Sequence, residues 1–560
     1  MRYLFFARHF TYLRNFESVL CALAERGHRI HVAAERDEAF GGREMVDRLT
    51  RLYPGITSGA APERADGWYP VATKLRLTLD YLRYLEPAYE TTPRLRTRAH
   101  TRVPRLLLGA LRLPMFRGAR GRRRLARLLL GWERAIPYDP DIVRYIREAR
   151  PDAVLITPLI GVVASPQLDY LYSAHALGIP TALCVWSWDH LSSKALIRTL
   201  PDRVLVWNPT QRQEAVDLHG VPPDRVVVTG AQCFDQWFDR QPRRDRASFC
   251  RRVGLPDDRP FLLWVCSALF RGSPQEASLV RQWIRALRQS SHAALRDVNI
   301  LIRPHPSRMK DWEDVDLGQE DRVALWGANP VDADARDDYF DSLHHCTAVV
   351  GVNTSAFIEA AIVGRPVYTV LLPEFRENQE GTIHFHYLLD VAGGLLNASR
   401  ALDEHAAQLN DLFEGRGPDP ARGRRFVEAF VRPQGLSRAS TTLFVDTVED
   451  LARCRSLAPE GLAVTSPPAP PFLVRWLAAF ERGAGHALMR DAREQFEVTR
   501  NRTIAARKER DRGVRLSAKA ASRAAKARRL ELRHREKQQL LEERKLRKRK
   551  KLLPTRLGLG

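Results

Sequence analysis

Short apolar runs alternate with amphipathic helical stretches along most of the chain, and this alternation constrains the fold more than any other feature. An apolar run at 3–7 is followed by a helical pattern at 16–26 and a second apolar run at 30–34. The same order of elements recurs at 153–229 and restarts at 260–370. Strands that alternate with helices in this way form parallel sheets through βαβ units.

We therefore predict an α/β protein of two facing Rossmann-like domains with a cleft between them. A chain of 560 residues is too long for one core and is expected to divide into domains. In open α/β sheets ligands bind beyond the carboxyl ends of the strands, so the cleft is the predicted active site. The predicted divisions are a first domain at 1–238 with an Arg-rich helical insertion at about 91–135, a second domain at 239–455, a linker at 456–471 and a basic helical tail, partly disordered, at 472–560.

The net charge of +23 lies in two appendages. Residues 502–556 contain 22 Lys and Arg against 6 Asp and Glu, and residues 91–130 contain 12 Arg and no acidic residue. The rest of the chain is therefore close to neutral, which argues against a body built to bind nucleic acid.

Cysteine usage and hydropathy favour a protein of the reducing cytoplasm. The seven cysteines are scattered and never form a C-x-x-C pair, which argues against a disulfide framework and against a zinc site. The longest apolar stretches, such as 153–164, are shorter than the roughly 18 residues that span a bilayer. No transmembrane helix is expected.

The segment 349–361 carries the strongest binding motif. An apolar strand ends at Asn353, Thr354 and Ser355, which open a helix. Hydroxyls and free backbone N–H groups at such a point suit an anion such as a nucleotide diphosphate. Glu359 follows one turn later, where its carboxylate can accept a hydrogen bond from a ribose hydroxyl. The alternative is that the three polar residues only cap the helix.

A second motif, Arg303-Pro304-His305-Pro306, directly follows a predicted strand. The prolines stiffen the loop and hold a guanidinium and an imidazole where they can neutralise or protonate a leaving pyrophosphate.

Two further loops give weaker predictions of contacts with the nucleotide donor. Ser267 and Arg271 follow the first strand of the second domain, and Glu380 and Gly381 lie in a polar loop that can contact the transferred group. Both loops are equally compatible with an ordinary polar surface.

The acceptor side requires a base, and two residues of the first domain are candidates. His9 follows the first strand and Asp189 follows a later one, so both lie at carboxyl ends of predicted strands. Asp189 can equally cap the next helix, and His9 can equally pack under its loop.

These motifs resemble the GT-B glycosyltransferases and two related groups, the UDP-N-acetylglucosamine 2-epimerases and the CDP-glycerol glycerophosphotransferases. The resemblance rests on Arg303–Pro306, on Asn353–Ser355 with Glu359, and on the segments 187–194 and 228–235. It departs from the pattern at His190, where relatives often have Asn. It implies a nucleotide donor in the second domain, an acceptor in the first, and no obligatory metal. Asp332 and Asp334 are interpreted as parts of a solvated turn, not as metal ligands.

The resemblance predicts transfer of a sugar from a nucleotide-sugar donor to a lipid- or polysaccharide-linked acceptor in cell-surface carbohydrate synthesis. No cofactor is required, because the nucleotide sugar, or a CDP-alcohol, is a substrate. The alternatives are a glycerophosphotransferase, an epimerase, or a non-catalytic protein that binds membranes or nucleic acid. The donor base, the acceptor, the stereochemistry and the oligomeric state stay open.

The two basic appendages are predicted to hold the protein at an anionic membrane surface, on the inner face of the plasma membrane. In 91–130, arginines alternate with leucines and Phe116, as in segments that enter the lipid headgroup region. The tail at 502–551 has charge but little apolar surface, so it can bind any phosphate, including RNA. A solvated tail and an Arg-rich helix packed on its own domain form the alternative.

Overall fold

The structure is a computed structural model that describes residues 1–456, apart from 37–40, 65, 160, 164, 195, 314, 316, 318, 319 and 331, and without the side chains at 106, 110, 455 and 456. Apart from residue 456, the predicted linker and basic tail lie outside the described residues. The described part contains two parallel sheets, each covered by helices. The predicted α/β fold class, with two Rossmann-like halves, is confirmed.

The first sheet has seven strands in the order β3-β2-β1-β4-β5-β6-β7. Phe5 of the first strand pairs with Val32 on one side and with Leu155 on the other. Tyr3 and Phe5 belong to one apolar core and Leu4 and Phe6 to another, so both faces of this strand are buried. A strand buried on both faces has a continuous apolar run. The strands are β1 (Arg2–Ala7), β2 (Arg29–Ala34), β3 (Ile56–Ala60), β4 (Ala153–Thr157), β5 (Thr181–Cys184), β6 (Arg203–Val206) and β7 (Val226–Val228).

Helices follow or cover these strands, and six of them lie between β3 and β4. The helices up to the second sheet are α1 (Phe10–Leu13), α2 (Glu17–Glu25), α3 (Gly42–Leu52), α4 (Tyr69–Arg83), α5 (Pro93–His100), α6 (Arg105–Ala110), α7 (Pro114–Arg117), α8 (Ala119–Arg134), α9 (Pro140–Ala149), α10 (Gln167–Ala176), α11 (His190–Ser193), α12 (Pro209–His219), α13 (Asp235–Asp239) and α14 (Arg246–Val253). Within the described residues, no helix is long and apolar enough to cross a membrane.

The second sheet has six parallel strands in the order β10-β9-β8-β11-β12-β13. Its strands are β8 (Phe261–Val265), β9 (Asn299–Arg303), β10 (Val323–Leu325), β11 (Ala348–Gly351), β12 (Val367–Val370) and β13 (Leu396–Ser399). The remaining helices are α15 (Glu276–Arg288), α16 (Ala293–Arg296), α17 (Ala333–His345), α18 (Ala356–Ile362), α19 (Ile383–Asp390), α20 (Leu402–Phe413), α21 (Ala421–Phe430) and α22 (Ser440–Ser456).

Helix α17 corrects one interpretation of the sequence. It begins at Ala333, and Asp332 caps it by accepting a hydrogen bond from the Ala335 N–H at 2.8 Å. Asp334 pairs with Arg252 across the surface at 2.5 Å. The interpretation of Asp332 and Asp334 as parts of a solvated turn is therefore wrong, because their carboxylates cap and anchor a helix of 13 residues.

The Arg-rich insertion is anchored on the first domain. Apolar residues of α4, including Leu75 and Leu79, pack against Leu125 and Leu129 of α8. Arg76 of α4 donates to Glu133 of α8 at 2.9 Å, and both side chains are buried. The insertion is therefore a packed helical layer.

The last described helix, α22, returns to the first domain. Its residues Phe444, Val445 and Val448 belong to the same core as Val19 and Leu20 of α2. The predicted range 239–455 for the second domain therefore includes a helix that packs on the first sheet. Its apolar residues pack against α2. The sequence pattern of α22 alone does not show which of the two sheets this helix covers.

One buried carboxylate, that of Asp235, joins the two chain crossings between the domains. It accepts hydrogen bonds from Arg432 Nη2 at 2.7 Å, from the Ser440 N–H at 3.1 Å and from the Thr441 N–H at 2.6 Å. Asp235 is 8% exposed and Arg432 is 7% exposed. Asp235 thus caps the start of α22. It also joins the segment by which the chain leaves the first domain, at α13, to the segment by which it returns, at 432–441.

Replacing Asp235 with Ala is expected to lower the free energy of unfolding by about 3–5 kcal/mol, because it leaves the Arg432 guanidinium buried and unpaired. Urea unfolding followed by tryptophan fluorescence measures the change. The matched control is Asp257→Ala, which removes an exposed pair with Arg251 at 3.2 Å and should cost less than about 1 kcal/mol. Equal urea midpoints for Asp235→Ala and wild type would contradict the structural role of this carboxylate.

Candidate active site

A cleft of about 700 Å³ lies between the carboxyl ends of the two sheets. Its wall on the first domain includes Trp186 and Asp189, which follow β5, and its wall on the second includes Arg303 and Asn353, which end β9 and follow β11. Parallel strands present all their carboxyl ends at one edge, which is why residues far apart in sequence meet here.

Arg303 is the last residue of β9 and is only 5% exposed, yet it lines the cleft. Its guanidinium lies over the ring of Tyr339, 5.0 Å from the centroid. Among the described residues no carboxylate lies within ion-pair distance of it, and its Nη1 makes no hydrogen bond. Gly327, at φ +134°, lets the chain pass close by, since a Cβ there would lie 2.7 Å from the guanidinium carbon. The charge is thus held in place and is available to an anion in the cleft.

His305 lies in the same loop with a defined tautomer. The Ser307 N–H donates to its Nδ1 at 3.2 Å, so Nδ1 is unprotonated and the neutral ring carries its proton on Nε2. Burial, together with the nearby Arg308 charge, lowers the pKa of His305 to about 4. The imidazole is therefore neutral at neutral pH and offers an N–H donor.

The loop Asn353–Ser355 is supported from behind by other polar groups. The Asn353 N–H donates to the Ser267 hydroxyl at 3.0 Å, and its side-chain amide donates to the Asn378 carbonyl at 2.5 Å. Thr354 accepts from the Ala356 N–H at 3.4 Å, as a capping residue would. All three loop residues line the cleft, and Ser355 is exposed to it.

Glu359 of α18 also lines the cleft and is bound to Tyr339 of α17, whose hydroxyl donates to its carboxylate. Burial raises the pKa of Glu359 to about 7, although the Tyr339 hydrogen bond and the Arg303 charge oppose that rise. Arg303 stacks on the same tyrosine ring. Tyr339 therefore connects Arg303 to Glu359. No sequence motif indicates Tyr339 as a site residue.

On the opposite wall, Asp189 is paired with Lys194 at 2.8 Å and accepts from the Ser187 hydroxyl at 2.6 Å. Burial alone would raise the pKa of Asp189. The Lys194 charge, the electrostatic influence of His384 and the hydrogen bond from Ser187 together hold that pKa well below its usual range. Lys194 also lies 4.7 Å from the centroid of the Trp186 ring. A carboxylate with so low a pKa is a weak proton acceptor.

Five residues predicted for the site lie outside the cleft wall. Ser267 is buried behind the Asn353 loop, and Arg271 is exposed beyond it. His9 precedes α1 with its ring 4.4 Å from that of Tyr12. Glu380 pairs with Arg400 at 2.8 Å. Gly381 lies in a tight turn, where its N–H donates to the Arg376 carbonyl at 2.7 Å.

Sequence reasoning missed most of the positive charge in the cleft. The further basic residues of the wall are Arg14, Arg98, Lys194, Arg240 and Arg336. They come from separate loops and helices, so no motif groups them. The described acidic residues of the wall are Glu17, Asp189 and Glu359. Three of these basic residues lie in ion pairs, Lys194 with Asp189, Arg240 with Asp337 and Arg336 with Glu17. The wall still has more basic than acidic residues, which suits a negatively charged substrate.

No protein-family model matches the chain, and no curated protein matches it. Solved structures do. A glycosyltransferase from Rickettsia africae is 11% identical over 82% of this chain and 99% of that chain, with a TM-score of 0.46. The UDP-GlcNAc 2-epimerase of Neisseria meningitidis, bound to UDP-GlcNAc, is 13% identical over 80% and 100%, with a TM-score of 0.43. The wall teichoic acid polymerase TagF is 8% identical over 82% and 90%, with a TM-score of 0.41. These structures come from the classes that the motifs resemble, and the fold of this chain follows from its own strand order.

Truncating Arg303 to Ala is expected to weaken binding of a nucleoside diphosphate by about 1.5–3 kcal/mol, the range for a hydrogen bond to a charged group. Calorimetric titration with UDP, GDP and CDP measures the change. Arg285→Ala is the matched control, since this exposed arginine lies on α15 and outside the cleft wall. If Arg303→Ala bound the preferred nucleotide as tightly as the control, the assignment of this arginine to the nucleotide site would be wrong.

The raised pKa of Glu359 predicts a pH dependence. Its carboxylate becomes ionised as pH rises through about 7, and only the ionised form is a full acceptor for ribose hydroxyls. Nucleotide affinity should therefore increase between about pH 6 and about pH 8. The Glu359→Gln variant controls for titration of the nucleotide itself. The same increase in that variant would contradict the role of Glu359.

Proposed function

We propose that this chain is a glycosyltransferase of the GT-B type that transfers a sugar from a nucleotide-sugar donor. The observation that carries the proposal is the buried Arg303 guanidinium, which faces the cleft without a carboxylate partner among the described residues. Burying a charge is costly unless an opposite charge meets it. A nucleotide diphosphate supplies that charge on the substrate.

The donor half of the reaction is proposed to proceed at the second domain. Arg303 neutralises the departing diphosphate, and the Nε2–H of neutral His305 donates to it as charge develops. Ser355 and Thr354 contact the phosphates, and Glu359 accepts from the ribose. Because these side chains supply the stabilisation, we propose that no metal is needed.

Two acceptor-side roles differ in their support. Asp189 was predicted as a base, but its Lys194 ion pair and low pKa make it better suited to positioning that lysine. His9 stays a proposed base at the carboxyl end of β1. Its ring packs against that of Tyr12, whose ring in turn packs edge-on against Trp186 of the cleft wall at 4.7 Å.

The same site would serve an epimerase or a CDP-glycerol-type glycerophosphotransferase, since both bind a nucleotide diphosphate. These reactions are the second candidates. A non-catalytic protein that binds membranes or nucleic acid is less well supported, because it has no use for the grouping of Arg303, Tyr339 and Glu359.

We further propose a lipid- or glycan-linked acceptor and a location at the inner, cytoplasmic face of a membrane. The support is the outer face of the insertion, where Leu113, Met115 and Leu128 are 49%, 68% and 48% exposed. Arg123 and Arg124, which lie between Met115 and Leu128 in the sequence, are also exposed. Apolar side chains mixed with arginines suit an anionic lipid surface.

The reaction is tested by product analysis. Purified full-length protein is incubated with UDP-, GDP- and CDP-linked sugars and with CDP-glycerol, with membrane lipid extract as the acceptor. Nucleoside diphosphate release with a glycosylated lipid indicates a glycosyltransferase, release of CMP a glycerophosphotransferase, and an altered sugar on an intact donor an epimerase. Activity is expected to survive EDTA and to fall in Arg303→Ala. Loss in EDTA with recovery on adding Mg²⁺ would overturn the metal-free mechanism.

A further inference from the structure

A second cavity, of about 240 Å³, lies within the Arg-rich insertion, between α4 and α5–α8. Its residues differ from those of the cleft. Its lining combines apolar residues, including Leu85, Leu108 and Leu111, with the arginines Arg112, Arg117 and Arg122. A pocket lined by both apolar and cationic residues matches an amphiphile with an anionic head.

Two of the three arginines, Arg117 and Arg122, are held by backbone carbonyls and not by acids. Arg117 Nε donates to the Arg112 carbonyl at 3.1 Å, and Arg122 Nη1 donates to the Arg117 carbonyl at 2.6 Å. In the described part of the chain, none of the three lies in an ion pair, and the buried Nε of Arg122 makes no hydrogen bond. The neighbouring Arg123 pairs with Glu86 at 3.5 Å. The guanidinium groups of Arg117 and Arg122 are therefore ordered by carbonyl groups that leave their charges uncompensated.

Two apolar residues close in sequence to the cavity-lining Phe116 are exposed. Met115 of α7 is 68% exposed, and Leu113 is 49% exposed. Helix α7 approaches α8 closely only because residue 121 is glycine, since a Cβ there would lie 1.9 Å from the Met115 carbonyl oxygen. Gly121 thus allows Phe116 and Arg117 of α7 to line the same cavity as Arg122 of α8.

We propose that this cavity binds the headgroup of an anionic membrane lipid. The lipid phosphate lies against Arg112, Arg117 and Arg122, its first methylene groups lie against the leucines, and Met115 and Leu113 enter the bilayer. Helix α5 contributes Leu95 and Arg98 to the cleft and His100 to this cavity, so the proposed lipid site and the cleft share a helix. Lipid binding itself does not require the proposed transferase activity.

The test measures sedimentation of full-length protein with vesicles of phosphatidylcholine, with and without phosphatidylglycerol. Wild type should bind only the anionic vesicles, and more weakly in salt. The variant R112Q/R117Q/R122Q should bind roughly 100-fold more weakly, as expected for three basic residues at a lipid surface. The matched control is R281Q/R285Q, which neutralises two exposed arginines of α15. Equal binding by the triple variant and the control would overturn the proposal.

A second pair of variants separates the cavity from charge alone. Gly121→Ala forces α7 away from α8 with no change of charge, whereas Gly109→Ala in α6 adds a Cβ with nothing within 4 Å. Only Gly121→Ala should weaken vesicle binding. Dihexanoyl phosphatidylglycerol should compete with vesicles, and inorganic phosphate at the same concentration should not. If phosphate competes equally, or if both glycine variants bind like wild type, the cavity is not a lipid site, whatever the transferase assay shows.

Discussion

The Asp235 carboxylate is the interaction on which the two-domain arrangement depends. It meets Arg432 and the first N–H groups of α22, so one residue closes both chain crossings. The close packing there leaves no space for a side chain at Gly230, where a Cβ would lie 2.1 Å from the Ser440 hydroxyl. Because α22 then packs on the first sheet, the chain crosses between the domains twice. Because the two connecting segments meet at Asp235, the carboxyl ends of the strands of the two sheets face one another across the cleft.

Within that cleft, the cost of burying Arg303 organises the second wall. A guanidinium removed from water needs compensation, and here the described compensation is the Tyr339 ring and a long contact of 3.5 Å to the Ala328 carbonyl. Tyr339 in turn binds Glu359. These partners orient the charge without neutralising it, which is the arrangement expected where an anionic substrate supplies the remaining stabilisation. The insertion repeats this principle, since carbonyl groups order Arg117 and Arg122.

The central strands could be predicted from the sequence, and so could β7, an apolar edge strand, but the other three edge strands could not. The predicted runs at 3–7, 260–266 and 347–351 correspond to β1, β8 and β11, which lie inside their sheets and are apolar because both faces are buried. Strands β3, β10 and β13 were not predicted. Each is at a sheet edge, and each has partly exposed residues, as in Thr57, Val323 and Asn397. An edge strand forms because a neighbour offers hydrogen bonds, and a short polar segment carries no such signal.

The sequence by itself determined the parts of the site that are contiguous. Arg303 with His305, and Asn353–Ser355 with Glu359, were predicted as groups because each follows one strand and its loop, and both groups line the cleft. Only the tertiary structure decided which residues join them. Tyr339 reaches Glu359 from another helix, Lys194 lowers the pKa of Asp189, and Arg98 arrives from the insertion. The physical reason is that strand order and helix packing set these distances, and they depend on the whole fold rather than on neighbouring residues.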